Sequence, residues 1–323
     1  MTTPTHPIPP LSAIQPDLER LEGMLHEIVG QVEEPLRSAL ARALDGGKRL
    51  RPAMVLLIAR LFSRDLEPFL ELAAAVDMLH AATLIHDDVV DHASLRRGHR
   101  SLHTVWPAGA AVLAGDYLLA EAIALVAGLE HASVARIFAA TLRTMCAGEI
   151  RVALAGPKSP SRADCYRSIE AKTAALLAAA AEMAGLVAGA AEPQVAALRR
   201  FGHEFGIAFQ IVDDVLDLVG DEAELGKPVG ADLRQGLATL PVVCYLEQAG
   251  SGGPVGAVLA GQRDEAHLQA AIEAIRASGA IEQSLGEARA HARQSQEALI
   301  ALPDSRYRQA LSDLAIYVVE RRR

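Results

Sequence analysis

Apolar residues recur along this chain at three- and four-residue intervals almost from end to end, which is the period of a helix and not of a strand. The pattern predicts helices over residues 15–44, 52–64, 67–91, 107–128, 131–155, 163–189, 194–219, 238–249, 266–300 with a break near 279, and 304–321. No run alternates convincingly in the manner of a strand, so the expected fold class is all-α, a single-domain helical bundle over 15–323. Gly46-Gly47 stops one helix, and Pro52 suits the first turn of the next. The stretch Gly250 to Pro254 reads as a surface turn, and Asp221 to Gly236 as a loop. Residues 1–14 begin Thr- and Pro-rich without a basic-then-apolar pattern, so they are expected as a flexible arm and not a leader.

Composition sharpens this only in places. Of 323 residues, 51% are hydrophobic but only 4% aromatic, which favours Ala- and Leu-rich helices over sheet. The net charge of −9 argues against nucleic acid as a partner. Cys146, Cys165 and Cys244 have no metal-ligand spacing and no even count, so a reducing compartment is expected. No apolar run of membrane-spanning length escapes a charge or a Gly/Pro break, so no membrane span and a cytoplasmic location are expected.

The chemistry is concentrated in an aspartate pattern that occurs twice. Asp87-Asp88-Val89-Val90-Asp91 and Asp213-Asp214-Val215-Leu216-Asp217 both read D-D-x-x-D, each near the end of a long apolar helix. Residues four apart share a helix face, so Asp87 and Asp91 point the same way, as do Asp213 and Asp217. Three carboxylates within two turns repel one another, and a divalent cation removes that cost. Oxygen-only ligands suit Mg²⁺, which keeps most of its waters and shares them with phosphates. Two such clusters suit a polyanion held through metal bridges.

Basic and polar groups complete the picture. Lys48 and Arg51 flank the Gly-Gly break and can reach outward towards phosphate oxygens. His80 and Thr83 lie on the helix stripe of Asp87, which gives His80 a ligand-facing role, whereas His86 is off that stripe and reads as structural. Arg96 and Arg97 follow the first cluster closely. Lys172, beside Thr173 in an apolar helix, either snorkels to water or faces an anion. Gln210 precedes the second cluster by three positions and faces it, and Lys227 sits in the Gly-rich loop, placed to close over a phosphate.

These strings resemble the trans-polyprenyl diphosphate synthases, the head-to-tail isoprenoid elongating family. The matching residues run in family order: Gly46-Gly47-Lys48-Arg49-Leu50-Arg51-Pro52, His80 with Leu84 to Asp91, Arg96-Arg97-Gly98, Gly115-Asp116, Gly148-Glu149, Lys172-Thr173, Phe209 to Asp217, Gly226-Lys227 and Thr239-Leu240-Pro241. The resemblance implies the isoprenoid synthase fold around a deep central cavity, a homodimer, and Mg²⁺ as cofactor, three ions, with Mn²⁺ able to substitute. It implies isopentenyl diphosphate and an allylic diphosphate as substrates. By position, Lys48, Arg51, His80 and Arg97 resemble the contacts to isopentenyl diphosphate. Arg96, Lys172, Thr173, Gln210 and Lys227 resemble those to the allylic diphosphate. Asp87, Asp91 and Asp213 resemble the direct metal ligands, with Asp88, Asp214 and Asp217 orienting waters and basic side chains around them. Asp87, Asp91, Arg96, Lys172 and Asp213 would carry the catalytic step.

Three positions depart from the family pattern: Leu237 where many members have Lys, Val152 where a Gln is common, and Asp77 for a common Glu. Both aspartate clusters are intact, which speaks against a non-catalytic subunit. Ala82 and Thr83 are small where short-chain members carry aromatic blockers, so the expected product is long, of the C30–C50 class, with Leu79, Ala82 and Thr83 bearing on its length. A shorter-chain synthase, a terpene cyclase on the same fold, and one subunit of a heteromeric synthase are the alternatives.

Overall fold

The computed structural model describes residues 8–63, 65–96, 98–154, 161–220 and 229–321. Helices dominate, as the periodicity predicts: Gln15–Gly30, Leu36–Leu44, Leu50–Phe62, Glu67–Val90, Ala108–Gly128, Ala132–Leu154, Arg162–Ile169, Ala175–Val187, Glu192–Val219, Ala231–Gln235, Leu240–Ala249, Gly253–Leu259, Glu265–Ala277, Ala280–Ala298 and Arg306–Glu320. The break near 279 is where the pattern places it.

The structure departs locally from the predicted pattern in several places. The predicted helix over 15–44 is interrupted between Gly30 and Leu36. Pro35 lies in the gap; it has no N–H to donate and pushes its predecessor out of the helical region. Residues 163–189 are divided by a wider turn, Glu170–Ala174, in which the helix takes an extra residue per turn. Leu95–Arg96 and His99–Arg100 form a two-stranded antiparallel hairpin where only a loop is expected. The turn at Gly250 lasts three residues before a helix starts at Gly253 and buries Val255 and Val258. Within the expected N-terminal arm, Pro9–Ile14 is a short 3-10 helix whose Leu11 and Ile14 are buried.

The contacts group into two compact units. The first comprises residues up to Ala140, with Ala179–Arg199 and Leu299–Leu314. Its centre is Glu67–Val90, buried without interruption from Leu72 to Leu79 and packed against Leu50–Phe62 and Ala108–Gly128. Between Arg51 and Arg60, helix Leu50–Phe62 is apolar all round, and Pro52 to Ala59 are all buried, which marks it as an inner helix. Each fully buried Leu, Ile or Met here is worth roughly 1.5–3 kcal/mol. The second unit comprises Thr141–Ala178, Arg200–Ala298 and Ala315–Arg323. Its core joins Ile207, Ile211, Val212 and Leu216 to Val242 and Cys244, to Val255 and Val258, and to Ile272 and Ile275.

Among the described residues, two helices are long and apolar enough, by length and composition alone, to cross a membrane, and both carry the charges on which the sequence reading rested. The most apolar stretch of Glu67–Val90 is 72% buried inside the protein, as expected of a core helix. That of Ala108–Gly128 is only 33% buried, and Asp116 and Glu121 lie within the helix.

Candidate active site

The basic loop of the first unit owes its shape to three left-handed positions within four residues. Gly46 (φ 74°) and Gly47 (φ 86°) take this conformation at no steric cost, and Arg49 (φ 48°) takes it despite its side chain. Arg49 is the residue that opens helix Leu50–Phe62, and its carbonyl accepts from the Ala53 N–H at 2.9 Å. Lys48 and Arg51, on either side of it, are both partly exposed. On helix Glu67–Val90 the buried run stops at His80, and His80, Thr83 and Asp87 form a partly accessible stripe. The Thr83 hydroxyl donates to the His80 carbonyl at 2.8 Å. Leu79 and Ala82 are buried in helix packing, off that stripe.

The first aspartate cluster straddles the end of that helix. Asp91 caps it, donating its N–H to the Asp87 carbonyl at 2.8 Å, so both carboxylates leave the helix on one side. Asp88 is buried and accepts two bonds from Arg96, at 2.8 Å from Nε and 2.5 Å from Nη2. The hairpin explains how Arg96 arrives there: Arg96 pairs with His99 across a turn in which Gly98 has φ 77°. Arg97 lies outside the described residues. His86 is structural, as its position off the stripe suggests. Its Nε2 is 3.1 Å from the Val112 carbonyl and 3.3 Å from Asp116 Oδ1. A Cβ on Gly115 would come within 2.3 Å of that ring, which accounts for the Gly-Asp pair there.

Helix Glu192–Val219, which belongs to the second unit from Arg200 onward, carries Asp213, Asp214 and Asp217. Asp213 is 39% exposed, whereas Asp214 and Asp217 are buried. Thr173 donates to Gln210 Oε1 at 2.6 Å, and Gln210 Nε2 donates to Asp214 at 2.8 Å. Burial pushes the Asp214 carboxyl well above its ordinary range, and the neighbouring Asp232, Asp213 and Asp217 push the same way. Asp217 accepts from the Asp232 N–H at 3.2 Å and so closes the backbone beyond the helix. Lys172 lies in the wide turn Glu170–Ala174, exposed, 4.0 Å from Glu149. The sequence left Lys172 undecided between water and an anion; here its ammonium reaches solvent beside a carboxylate. Lys227 lies outside the described residues.

Sequence reasoning missed Arg321. Its side chain is 2% exposed, donates to Asp213 at 2.5 Å and to the Phe209 carbonyl at 3.1 Å, and stacks 4.3 Å from the Phe209 ring centre. No local signal marks it, since it approaches from the far end of the chain.

The donor chemistry of these residues fits a hard divalent cation. Among the described residues no three acidic, His or Cys side chains form a ready-made cage. Accessible Asp87 and Asp91 in one unit and Asp213 in the other offer one or two carboxylates each. That suits Mg²⁺, which completes its shell with waters and phosphate oxygens.

A family model described as polyprenyl synthetase matches residues 33–275. The heptaprenyl diphosphate synthase component 2 of Geobacillus stearothermophilus is 38% identical over 312 residues, covering 96% of this chain and 97% of the relative. The nonaprenyl diphosphate synthase of Mycobacterium tuberculosis is 35% identical, covering 96% and 94%. Among solved structures, a polyprenyl synthase from Caulobacter crescentus complexed with calcium and isoprenyl diphosphate superposes with a TM-score of 0.92 at 35% identity, covering 100% of both chains.

Proposed function

This chain belongs to the polyprenyl synthetase family, and from that premise we infer that it elongates an allylic diphosphate with isopentenyl diphosphate to a long all-trans polyprenyl diphosphate, releasing diphosphate. The observation that carries the reading is the repeated D-D-x-x-D, with accessible Asp87, Asp91 and Asp213 backed by buried Asp88, Asp214 and Asp217.

The costly event is breaking an allylic C–O bond to leave a delocalised cation. Bound divalent ions, Mg²⁺ in our proposal, supply neutralisation of the charge that develops on the leaving diphosphate. Asp87, Asp91 and Asp213 would hold them, with three ions as the expected number. Asp88 orients Arg96 towards the allylic diphosphate, and Lys172, Thr173 and Gln210 serve the same group. Arg97 and Lys227 keep the roles the family pattern gives them. Lys48, Arg51 and His80 take the diphosphate of isopentenyl diphosphate, whose double bond attacks the cation. The new C–C bond forms once the allylic C–O bond has broken, and a proton is then lost to the released diphosphate. Thr83, on the Asp87 stripe, is the position where a larger side chain would meet the growing tail first; Ala82 and Leu79 lie beside it.

We also propose a homodimer, formed on helix Ala108–Gly128. Its Val112, Leu113 and Ile123 are exposed, and Val112 and Ile123 share a helix face with Ala120 and Ala127. A relative named as component 2 of its synthase makes a different partner chain the competing occupant. The three cysteines are unpaired, which supports the proposed cytoplasmic location.

The test is turnover by the purified chain alone with labelled isopentenyl diphosphate and several primers, products sized by chromatography, and mass by light scattering. Long products that vanish in EDTA and return with Mg²⁺ are expected, as is loss of rate on the order of 10²–10⁵ in Asp87→Ala or Asp213→Ala. Full activity in excess EDTA would defeat the metal assignment. Activity only after adding a second protein would defeat the homodimer.

A further inference from the structure

Arg49 is the least obvious residue of the basic loop, and it is firmly held. Its guanidinium is fully engaged: Nε donates to Glu22 Oε1 at 2.6 Å, Nη2 to Glu22 Oε2 at 2.9 Å, and Nη1 to Asp77. The Arg49 side chain is 13% exposed and that of Asp77 10%. A buried charge pair of this kind is weak evidence for stability, because desolvation offsets much of the attraction. The backbone makes the same point. Arg49 sits in the left-handed region, which an L side chain occupies only where its surroundings enforce it. Such strain, concentrated between Lys48 and Arg51, calls for a reason in what those two neighbours do.

The reason lies in where Asp77 is. Asp77 is on helix Glu67–Val90, one turn before His80 and ten residues before Asp87, so ~15 Å along the axis from the first metal ligand. The triad therefore ties the Lys48–Arg51 loop to the helix that carries both His80 and the first aspartate cluster. Glu22, on helix Gln15–Gly30, braces it from the other side. Asp77 appeared in the sequence only as a departure from the family's Glu; in the structure it is the anchor of this loop.

We propose that Arg49 is a positioning residue for isopentenyl diphosphate. Locked by Glu22 and Asp77, it fixes the left-handed turn that aims Lys48 and Arg51, together with His80, at the diphosphate of the acceptor substrate. It touches no substrate itself. This deepens the proposed function and rests on the reading that Lys48, Arg51 and His80 hold that diphosphate.

The test compares Arg49→Ala and the milder Glu22→Gln, which removes charge from a 39% exposed partner, with Arg51→Ala as reference. Steady-state kinetics are run against each substrate separately, well below each variant's melting temperature. A misaimed pair of cations should raise KM for isopentenyl diphosphate about tenfold or more in Arg49→Ala and less in Glu22→Gln. KM for the allylic substrate should stay within about twofold, because its contacts lie elsewhere. Asp77→Asn should reproduce the pattern. If Arg51→Ala raises that KM while Arg49→Ala and Glu22→Gln lower only the melting temperature, Arg49 is structural and the proposal is overturned. Should Arg49→Ala fail to fold, Glu22→Gln and Asp77→Asn decide in the same way. If Arg51→Ala itself leaves KM for isopentenyl diphosphate unchanged, the substrate assignment fails, and this inference with it.

Discussion

Gly206→Ala separates helix propensity from close packing at the second aspartate helix. A Cβ built at Gly206 would lie 2.6 Å from the Ala174 Cα, 3.1 Å from its Cβ and 3.3 Å from its N. Two of these atoms are backbone, so no rotamer change relieves the clash; one helix must move. Ala in place of Gly inside a helix gains about 0.8–1.0 kcal/mol when nothing is touched. Over-packing of a filled interior costs about 1–3 kcal/mol. The clash should win, leaving Gly206→Ala destabilised by roughly 0–2 kcal/mol. Gly286 supplies the control: it is inside helix Ala280–Ala298, exposed, with nothing within 4 Å of a built Cβ. Gly286→Ala should gain close to the full propensity, so the two variants should differ by about 1–3 kcal/mol with opposite tendencies. Urea unfolding at 25 °C, with similar slopes for both, measures this directly. There is a functional consequence too. Ala174 ends the wide turn that carries Lys172 and Thr173, so Gly206→Ala should also lower kcat/KM for the allylic diphosphate, and Gly286→Ala should not. If Gly206→Ala proves as stabilising as Gly286→Ala, the two helices are not in contact at that point and the reasoning fails.

Asp88→Asn keeps shape but removes the charge that holds Arg96, whose side chain is 41% exposed. Because Arg96 can turn to water, the stability loss should be only about 1 kcal/mol, while kcat falls and Arg96→Ala adds little in the double variant; strict additivity in that cycle would show that Asp88 does not act through Arg96. Glu204 is pushed down to about 2 by hydrogen bonds from His203 and His291. Its folded pKa lies below the ordinary ~4.5, so its contribution is complete above pH ~4.5 and disappears as pH falls through ~2. Glu204→Gln should therefore be less stable than the wild type at pH 6 and nearly indistinguishable from it near pH 2, and a gap that does not shrink on acidification would refute the assignment. Thr83→Phe should shorten the product to roughly three or four isoprene units, because the ring would lie about one helical turn from Asp87; an unchanged long product, sized by chromatography, would remove Thr83 from the tail's path.

What could be read from the sequence is what depends on neighbours along the chain. A 3.6-residue period is local, so the helices were legible, and so was the sharing of a face by Asp87 and Asp91. Lys48, His80, Gln210 and the aspartates could be named because motif spacing is also local. Leu79 and Ala82 show the limit of that reading: their distance from Asp87 follows from helix rise, but that they are packed and Thr83 is accessible depends on neighbouring helices. The gap before Leu36 was within reach of a local reading, since Pro35 marks it.

Other features were not legible because their energies come from distant partners. The wide turn at Lys172 has no composition of its own; it lies where helix Glu192–Val219 passes, with Gly206 close against Ala174. Arg321 reaches Asp213 from the last turns of the chain, and Arg49 is held by one acid from the first helix and another from the fourth. A charged side chain can leave water only when its partners are already assembled around it. Composition and period therefore determined the helices and the kinds of ligand they carry. Which carboxylates face solvent, which orient an arginine, and which backbone is held in a strained turn were decided only by tertiary packing.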